Sequence, residues 1–362
     1  MCKMKKVLFI TNIEVPYRVE FFNELSKKCN LMVLYEREES KNRDKDWTNS
    51  KKKSFKYNYL KGIKIGNENS FDLRVLKYLF DKKYDEIIIG CINSPIQIFS
   101  ILIMNLFHKR YSINLDGDAF IEENGCKNKI KRFLLKKADK YYISGFEYSK
   151  VIKKIMNVNN VFTYRFSSMN KEELTDNKEL VKKDKGKRQD YFLIVGQFYR
   201  YKGLDVALEV ADRLKNYKFK FVGMGNRTDI LKNNVNARKM KNVELVSFLS
   251  KEKLNEEYIK CKALILPSRK ECWGLVVNEA ASFGTPIIST YGSGAAKEFL
   301  NNEYSMFLAK PGDSEDLYNT VVRFIQSKEK NRFSEYLMDK SSNYSIENSV
   351  HDYLKGIRLN EK

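Results

Sequence analysis

Short, continuously apolar runs rich in β-branched residues alternate along this 362-residue chain with longer stretches whose apolar positions recur every three or four residues. The short runs read as strands buried on both faces and the longer ones as amphipathic helices. Regular alternation of the two is the pattern of parallel sheets flanked by helices. In the first half the predicted strands are Val7–Thr11, Leu31–Tyr35, Ile87–Gly90, Tyr111–Leu115, Tyr141–Ser144 and Val161–Thr163. A second series follows at Tyr191–Val195, Phe219–Val222, Val243–Phe248, Ala263–Leu266, Pro286–Ser289 and Met306–Leu308. Between them, Ser167–Asp190 loses apolar periodicity and is dominated by charge, which predicts an interdomain linker. The expected layout is an N-terminal domain over 1–166, a linker over 167–190, a C-terminal domain over 191–335 and a helical segment over 336–362. That last segment either closes the second domain or crosses back to the first. The fold class is α/β, with two Rossmann-like domains.

One stretch has the length of a membrane span, since Ile87 to Phe107 is 21 residues without a charge. Gly90, Asn93, Ser94, Pro95 and Gln97 interrupt it, and Ser94-Pro95 reads as an N-cap followed by proline at the first helical position. A buried strand Glu86–Gly90, a turn and a helix from Pro95 to about His108 are expected instead.

Apolar residues make up 43% of the chain and aromatics 13%, enough to fill two cores. The six cysteines show no CxxC spacing and the N-terminus shows no apolar run with a small-residue cleavage site, so a reduced, cytoplasmic protein is expected. With only His108 and His351, His-based zinc sites and Ser-His-Asp triads have almost no material. The net charge of +21 is uneven: residues 1–165 carry 33 Lys+Arg against 19 Asp+Glu. Such a surplus favours an anionic partner: nucleic acid, a membrane surface or a phosphorylated acceptor. No RNA-recognition, helix-turn-helix or zinc-finger pattern is visible, which argues against nucleic acid. The stretch 126–142 alternates Lys/Arg with apolar residues at helical spacing, so it reads equally as an interfacial helix on anionic lipid or as an ordinary surface helix.

The most informative segment is LPSRKECWGLVVNEAASFGTPIIS at 266–289. A strand ends at Pro267-Ser268, a loop carries Glu271, and a helix beginning near Gly274 carries Glu279. Two carboxylates at the mouth of a parallel sheet can accept hydrogen bonds from sugar hydroxyls, and the amides of Gly274 and Leu275 can face phosphate. In VGQFYRYKGLDVALEVADRL (195–214), a strand ends at Gly196 and a polar loop offers Arg200 and Lys202 to the same sheet mouth. Fixed cations there suit a leaving diphosphate, whose charge grows as its bond breaks. Weaker signals are the turn VGMGNR (222–227), the loop Tyr291–Ala295 as a source of amides for phosphate, and Asp116-Gly117-Asp118, a literal DxD that could hold a divalent cation on a diphosphate.

The run 266–289 resembles the Glu-x7-Glu signature of retaining GT-B glycosyltransferases of family 4, with the surrounding Pro-Ser, Gly-Leu, Glu-Ala and Gly-x-Pro positions matched. The resemblance follows the order of elements along the chain, with its specific motifs between Tyr191 and Pro311. It implies two domains facing each other across a cleft, with the donor in the second and the acceptor in the first. By that resemblance Glu271 holds donor-sugar hydroxyls, Glu279 the ribose, and the backbone of Trp273, Gly274 and Leu275 the sugar and diphosphate. Lys202 meets the diphosphate, Arg200 stands in for the arginine that many members carry at the position of Gln197, and Gly223 lies in the turn beneath the nucleotide. The opening KKVLFITNIEVPYRVEFFNEL is similar to members with Pro-Tyr-Arg, which puts Arg18 near phosphate or acceptor. Many members place a histidine near the strand end at 115; here Asp116 or Asp118 is left to contact the acceptor. No metal and no cofactor is expected. The implied activity is transfer from a UDP- or GDP-sugar to a growing cell-surface glycan of the capsule or lipopolysaccharide kind, or to a lipid-diphosphate-linked acceptor, at the inner face of a bacterial membrane. An epimerase of the same architecture and a nucleic-acid-binding protein are the alternatives.

Overall fold

The computed structural model describes residues 4–38, 52–65, 69–90, 92, 94–117, 126–184, 188–225 and 227–357. Its contacts divide the chain into two compact units, Met1–Ser168 with Ile346–Lys362, and Met169–Ser345.

The first unit opens with β1 (Lys6–Ile13), α1 (Pro16–Ser26), β2 (Asn30–Arg37), β3 (Lys56–Tyr59) and the short antiparallel pair β4 (Ile63–Ile65) and β5 (Asn69–Phe71). It continues through α2 (Val75–Leu79), β6 (Glu86–Gly90), α3 (Pro95–Leu106), β7 (Ser112–Leu115), α4 (Cys126–Leu135), β8 (Lys140–Ser144), α5 (Phe146–Met156) and β9 (Val161–Tyr164). Seven strands pair in parallel in the order β3-β2-β1-β6-β7-β8-β9. The uncharged stretch 87–107 divides as its polar punctuation requires. Burial on both faces makes β6 apolar, and α3 then starts at Pro95 with Ser94 Oγ accepting from the Gln97 amide at 3.3 Å. Among the described residues no helix is long and apolar enough to cross a membrane. Strands β3, β4 and β5 are additions to the sequence expectation; at three or four residues each they are too short to show an apolar run.

The second unit begins earlier than expected. Residues 171–183 form α6 (Lys171–Lys183), closed at its start by a reciprocal cap: Asn170 Oδ1 accepts from the Glu173 amide at 2.8 Å and Glu173 Oε2 from the Asn170 amide at 2.9 Å. The expected linker is therefore part of a folded unit. Arg188, at its far end, donates to the carbonyls of Tyr258, Ile259 and Cys261 at 2.8–3.1 Å and of Phe283 at 3.0 Å. It thereby ties down the ends of two later helices. The unit continues with β10 (Tyr191–Val195), α7 (Leu204–Arg213), β11 (Lys218–Val222), α8 (Thr228–Ala237), β12 (Val243–Val246), α9 (Lys251–Lys260) and β13 (Ala263–Leu266). After these come α10 (Leu275–Ser282), β14 (Ile287–Thr290), α11 (Gly294–Phe299), β15 (Leu308–Ala309), α12 (Ser314–Gln326) and α13 (Lys330–Ser342). All six strands are parallel, ordered β12-β11-β10-β13-β14-β15.

The C-terminal helix α14 (Ile346–Ile357) returns to the first unit, packing on β9 and α1. Asp352, 2% exposed, takes a two-pronged ion pair from Arg165 at 2.7 and 2.9 Å, and Tyr353 stacks on Tyr142 with ring centroids 4.0 Å apart.

A buried carboxylate makes the first unit sensitive to pH. Glu36, fully buried at the end of β2, receives the Ser94 hydroxyl at 2.5 Å. Burial pushes its carboxyl up from 4.5 to about 7, against the opposing hydrogen bonds of Ser94 and Gln97. The folded state thus holds a proton that the unfolded chain releases, so stability falls as pH rises from 4.5 to about 7 and is then level. Relative to the wild type, Glu36→Gln is expected to gain about 2–3 kcal/mol between pH 5 and pH 8. Thermal melts of both proteins at the two pH values check this; parallel shifts would show that Glu36 titrates normally.

Candidate functional site

Strand order in the second unit reverses at β10, which has β11 on one side and β13 on the other. The loops that leave β10 and β13 diverge there, and this is where doubly wound sheets bind ligands. The first of these loops runs through Gly196 and Gln197 to a single 3-10 turn, Arg200–Lys202; the second runs from Pro267 to Gly274. Backbone hydrogen bonds join them, the Tyr201 carbonyl accepting from the amides of Arg269 at 2.8 Å and Lys270 at 3.2 Å. At Gly203, φ is +67° and an added Cβ would lie 2.0 Å from the Pro267 carbonyl oxygen, so only glycine lets the loops meet.

This closure brings Lys202 against Glu271. The ammonium forms an ion pair with Oε2, and Ser268 Oγ lies 3.5 Å from the same oxygen. Both side chains are mostly buried, 17% and 15% exposed. Arg269 grips Asp205 at the start of α7 through two hydrogen bonds of 2.6 and 2.8 Å and also donates to the Arg200 carbonyl at 3.1 Å. Burial acts to raise the Asp205 carboxyl, but the Arg269 hydrogen bonds prevail and hold it below its ordinary range. Glu279, half-buried on α10, accepts from the Tyr258 hydroxyl at 2.9 Å; burial raises its carboxyl above the usual value.

The remaining expected residues divide. Gly223 abuts Gly196, whose carbonyl oxygen would sit 2.0 Å from an added Cβ, so the turns after β10 and β11 are in contact. Gln197 and Arg200 are exposed, and the Arg200 guanidinium makes no hydrogen bond or ion pair among the described residues. Trp273 is 3% exposed, its indole donating to Asn278 Oδ1 at 2.8 Å and its carbonyl accepting from Ser293 Oγ and the Ala295 amide. The amides of Gly274 and Leu275 open the first turn of α10, where no intrahelical acceptor exists for them. The loop Tyr291–Ala295 corrects the expectation that it offers amides to phosphate. Gly294 and Ala295 donate to the carbonyls of Glu271 and Trp273, so these amides position the Glu271 loop instead.

Residues 175–338 match the family of glycosyl transferases group 1. The match lies within the second unit. An uncharacterized glycosyltransferase of Methanocaldococcus jannaschii is 26% identical to this chain over 66% of it and 63% of its own length. The O-antigen chain mannosyltransferase C of Escherichia coli is 29% identical over 40% of each chain. The chain spans about half the length of the curated relatives it matches. Among solved structures, Anabaena HepE in complex with UDP-glucose superposes with a TM-score of 0.69 at 14% identity, over 97% of this chain and 99% of that one. The chain therefore has the GT-B fold. Within the matched unit, Lys202 and Glu271 come from separate loops that meet at the carboxyl ends of the central strands β10 and β13, while Glu279 lies farther along α10 against Tyr258.

In the first unit the expected pair takes an unexpected form. Arg18, on α1, is 5% exposed and forms an ion pair with Asp116, which is also held by the Tyr164 hydroxyl and by Asn114 Nδ2 at 2.8 Å. Tyr353 of α14 supports Asn114 through a 2.9 Å hydrogen bond. The guanidinium lies over Phe9, Phe21 and Phe166. Burial works against its charge, but Asp116 outweighs this and raises its affinity for the proton well above the ordinary value. Arg18 is therefore enclosed, and only Asp116, 32% exposed, keeps an open edge. Asp118 lies outside the described residues. A cavity of about 350 Å³ at the amino ends of β6, β7 and β8, opposite Asp116, holds none of these groups. Two of its cations are answered by carboxylates, Lys140 by Glu86 at 3.2 Å and Arg110 by Asp139 at 2.6 Å.

Asp116→Asn leaves the Arg18 guanidinium buried without a counter-charge, and a loss of about 3 kcal/mol is expected. Adding Arg18→Met should recover part of it, since the double change removes both charges. Denaturant unfolding of the single and double variants checks the sign of that recovery, and additive losses would show that the two charges are not coupled.

Proposed function

We propose that this protein is a retaining, metal-independent glycosyltransferase that moves a sugar from a UDP- or GDP-sugar to a growing cell-surface glycan or lipid-diphosphate-linked acceptor. The observation that carries the reading is the meeting of Lys202 and Glu271 where the strand order of the second unit reverses. A donor diphosphate arriving beside Lys202 competes for its ammonium and leaves Glu271 to the hydroxyls of the donor sugar. As the bond from the anomeric carbon to the diphosphate breaks, negative charge grows on the leaving oxygen, and Lys202 stabilises that state more than the bound donor. The exposed Arg200 can join it. Gly274 and Leu275 offer helix-start amides to phosphate, Glu279 takes the ribose, and Gly196, Gln197 and Gly223 form the floor under the nucleotide.

Asp116 contacts the acceptor through its exposed edge, with Arg18 as the residue that positions it. A UDP-sugar is supported by the UDP-glucose complex of HepE, and a surface glycan by the Escherichia coli O-antigen mannosyltransferase. An acceptor of that kind is met at the cytoplasmic face of a membrane.

Lys202→Ala is expected to lower kcat by roughly 10²–10³, the range for removing one preorganised charge-stabilising donor, with a smaller change in donor KM. Lys202→Arg should recover only part, because a planar fork places its charge differently. Steady-state kinetics with the donor chosen by mass-spectrometric screening decides this: an unchanged kcat in Lys202→Ala removes the residue from the departing diphosphate.

Because side-chain cations are available for the diphosphate and the Asp116 oxygens are engaged by Arg18, Tyr164 and Asn114, activity should survive excess EDTA. Complete loss restored by Mn²⁺ would instead make the aspartates metal ligands.

A further inference from the structure

Two neighbouring helices of the first unit leave large apolar side chains in water. On α3, Leu102 and Leu106 lie one turn apart and are 47% and 69% exposed, followed by Phe107 at 55%. On α4, Ile130 and Phe133 are 61% and 66% exposed. Phe80, after α2, packs edge-on against Phe107 at 5.1 Å and extends the same patch. The successive connections β6-α3-β7-α4-β8 advance in one direction across the sheet, so both helices lie on one face. They touch each other, and their inward residues Ile96, Ile101, Met104 and Leu135 share one buried core. The exposed residues are thus left over after the core is complete.

The charges on the two helices themselves are of one sign, while Asp81 and Asp139 pair with Lys83 and Arg110 beside them. Helix α3 contains no charged residue and is followed by His108-Lys109-Arg110, and residues 126–137 hold six Lys or Arg without a carboxylate. Lys109 lies over the Phe80 ring and Lys137 over the Phe133 ring, so exposed aromatic tips carry ammonium groups beside them. Apolar tips that reach past a cationic surround suit the boundary between headgroups and acyl chains of an anionic bilayer.

We infer that the α3–α4 face docks this protein on an anionic lipid bilayer, with Leu106, Phe107, Ile130 and Phe133 inserted and the flanking lysines on the headgroups. The inference rests on the proposed membrane-borne acceptor and names the surface that reaches it. The test is flotation of the full chain with vesicles of phosphatidylcholine, with or without phosphatidylglycerol. The wild type is expected to bind the phosphatidylglycerol vesicles at least ten-fold more tightly. Leu106→Ser with Phe107→Ser, and separately Ile130→Ser with Phe133→Ser, should each weaken that binding ten-fold or more. Lys129→Glu with Lys137→Glu, which leaves the apolar groups in place, should do the same at low salt.

UDP and GDP binding by the full chain, measured by calorimetry, should be unchanged in all three variants. Its failure in the wild type counts against the transferase reading and leaves flotation as a separate result. Absence of wild-type flotation, or variants that float like the wild type, overturns the inference. So does light scattering in which the serine variants turn a dimer into a monomer while flotation is unaltered, since the face would then belong to a second copy of the chain.

Discussion

A parallel strand returns to its sheet only through a crossover, and at β10 the crossovers part, one series running toward β12 and the other toward β15. The loops after β10 and β13 must therefore separate, and no covering helix can fill the space between their starts. Everything specific to the second unit is a response to that gap. The carbonyl of Tyr201 joins the two loops, the Arg269–Asp205 pair fixes the second loop to the first turn of α7, and Glu271 is held through its backbone by the Gly292 and Gly294 segment after β14. Four chain segments thus converge on one carboxylate and one ammonium without any of them being a continuous element.

Such convergence is possible only where side chains are missing from the approach. The Gly203 position against Pro267 and the Gly223 position against Gly196 each leave about the width of a hydrogen where a methyl group would have to fit. The glycines carry no chemistry, yet they set the spacing at which Lys202 and Glu271 meet. In the first unit the same geometric opening beside β1 is treated differently. Arg18 fills it with a buried guanidinium among three aromatic rings, and α14, arriving from the end of the chain, closes the surroundings of Asn114 through Tyr353.

How much of this could be read from sequence follows from what each feature looks like in one dimension. Buried parallel strands announce themselves, and so does the turn from β6 to α3, because Ser94-Pro95 is local. The Lys202 and Glu271 positions were legible because each lies in a contiguous loop-to-helix pattern. Helix α6 is hidden by its charge, since it buries little along its length; Asn170 followed by Glu173 is the local cue to its start. Strands β3, β4 and β5 are hidden because they are only three or four residues long and β3 and β4 expose most of their side chains. The partners Tyr164 to Asp116, Tyr258 to Glu279 and Arg269 to Asp205 are separated by 48, 21 and 64 residues. No periodicity links such pairs, and only the folded sheets bring them together. Arg18 is expected near phosphate or acceptor from its Pro-Tyr-Arg context, but no local pattern shows that three aromatic rings and Asp116 enclose its guanidinium.

The two ion pairs show why burial alone does not mark a working group. Arg18 and Asp116 sit in a frame of aromatic rings and tyrosine hydroxyls that leaves the guanidinium no room to turn, so the pair holds one geometry. Lys202 and Glu271 are also largely removed from water, but their backbones belong to loops, and each keeps some exposure. Charges that are already partly desolvated and already oriented need little further reorganisation when one partner is exchanged for another. On the proposed reading that exchange is the binding of the donor. A diphosphate replaces a carboxylate beside Lys202, and a sugar replaces an ammonium beside Glu271, so both groups are paired before and after the exchange. The arrangement also sets an order: the phosphate must engage Lys202 before Glu271 is available to the sugar. A free sugar, which has no charge to offer Lys202, would then compete poorly for the same carboxylate.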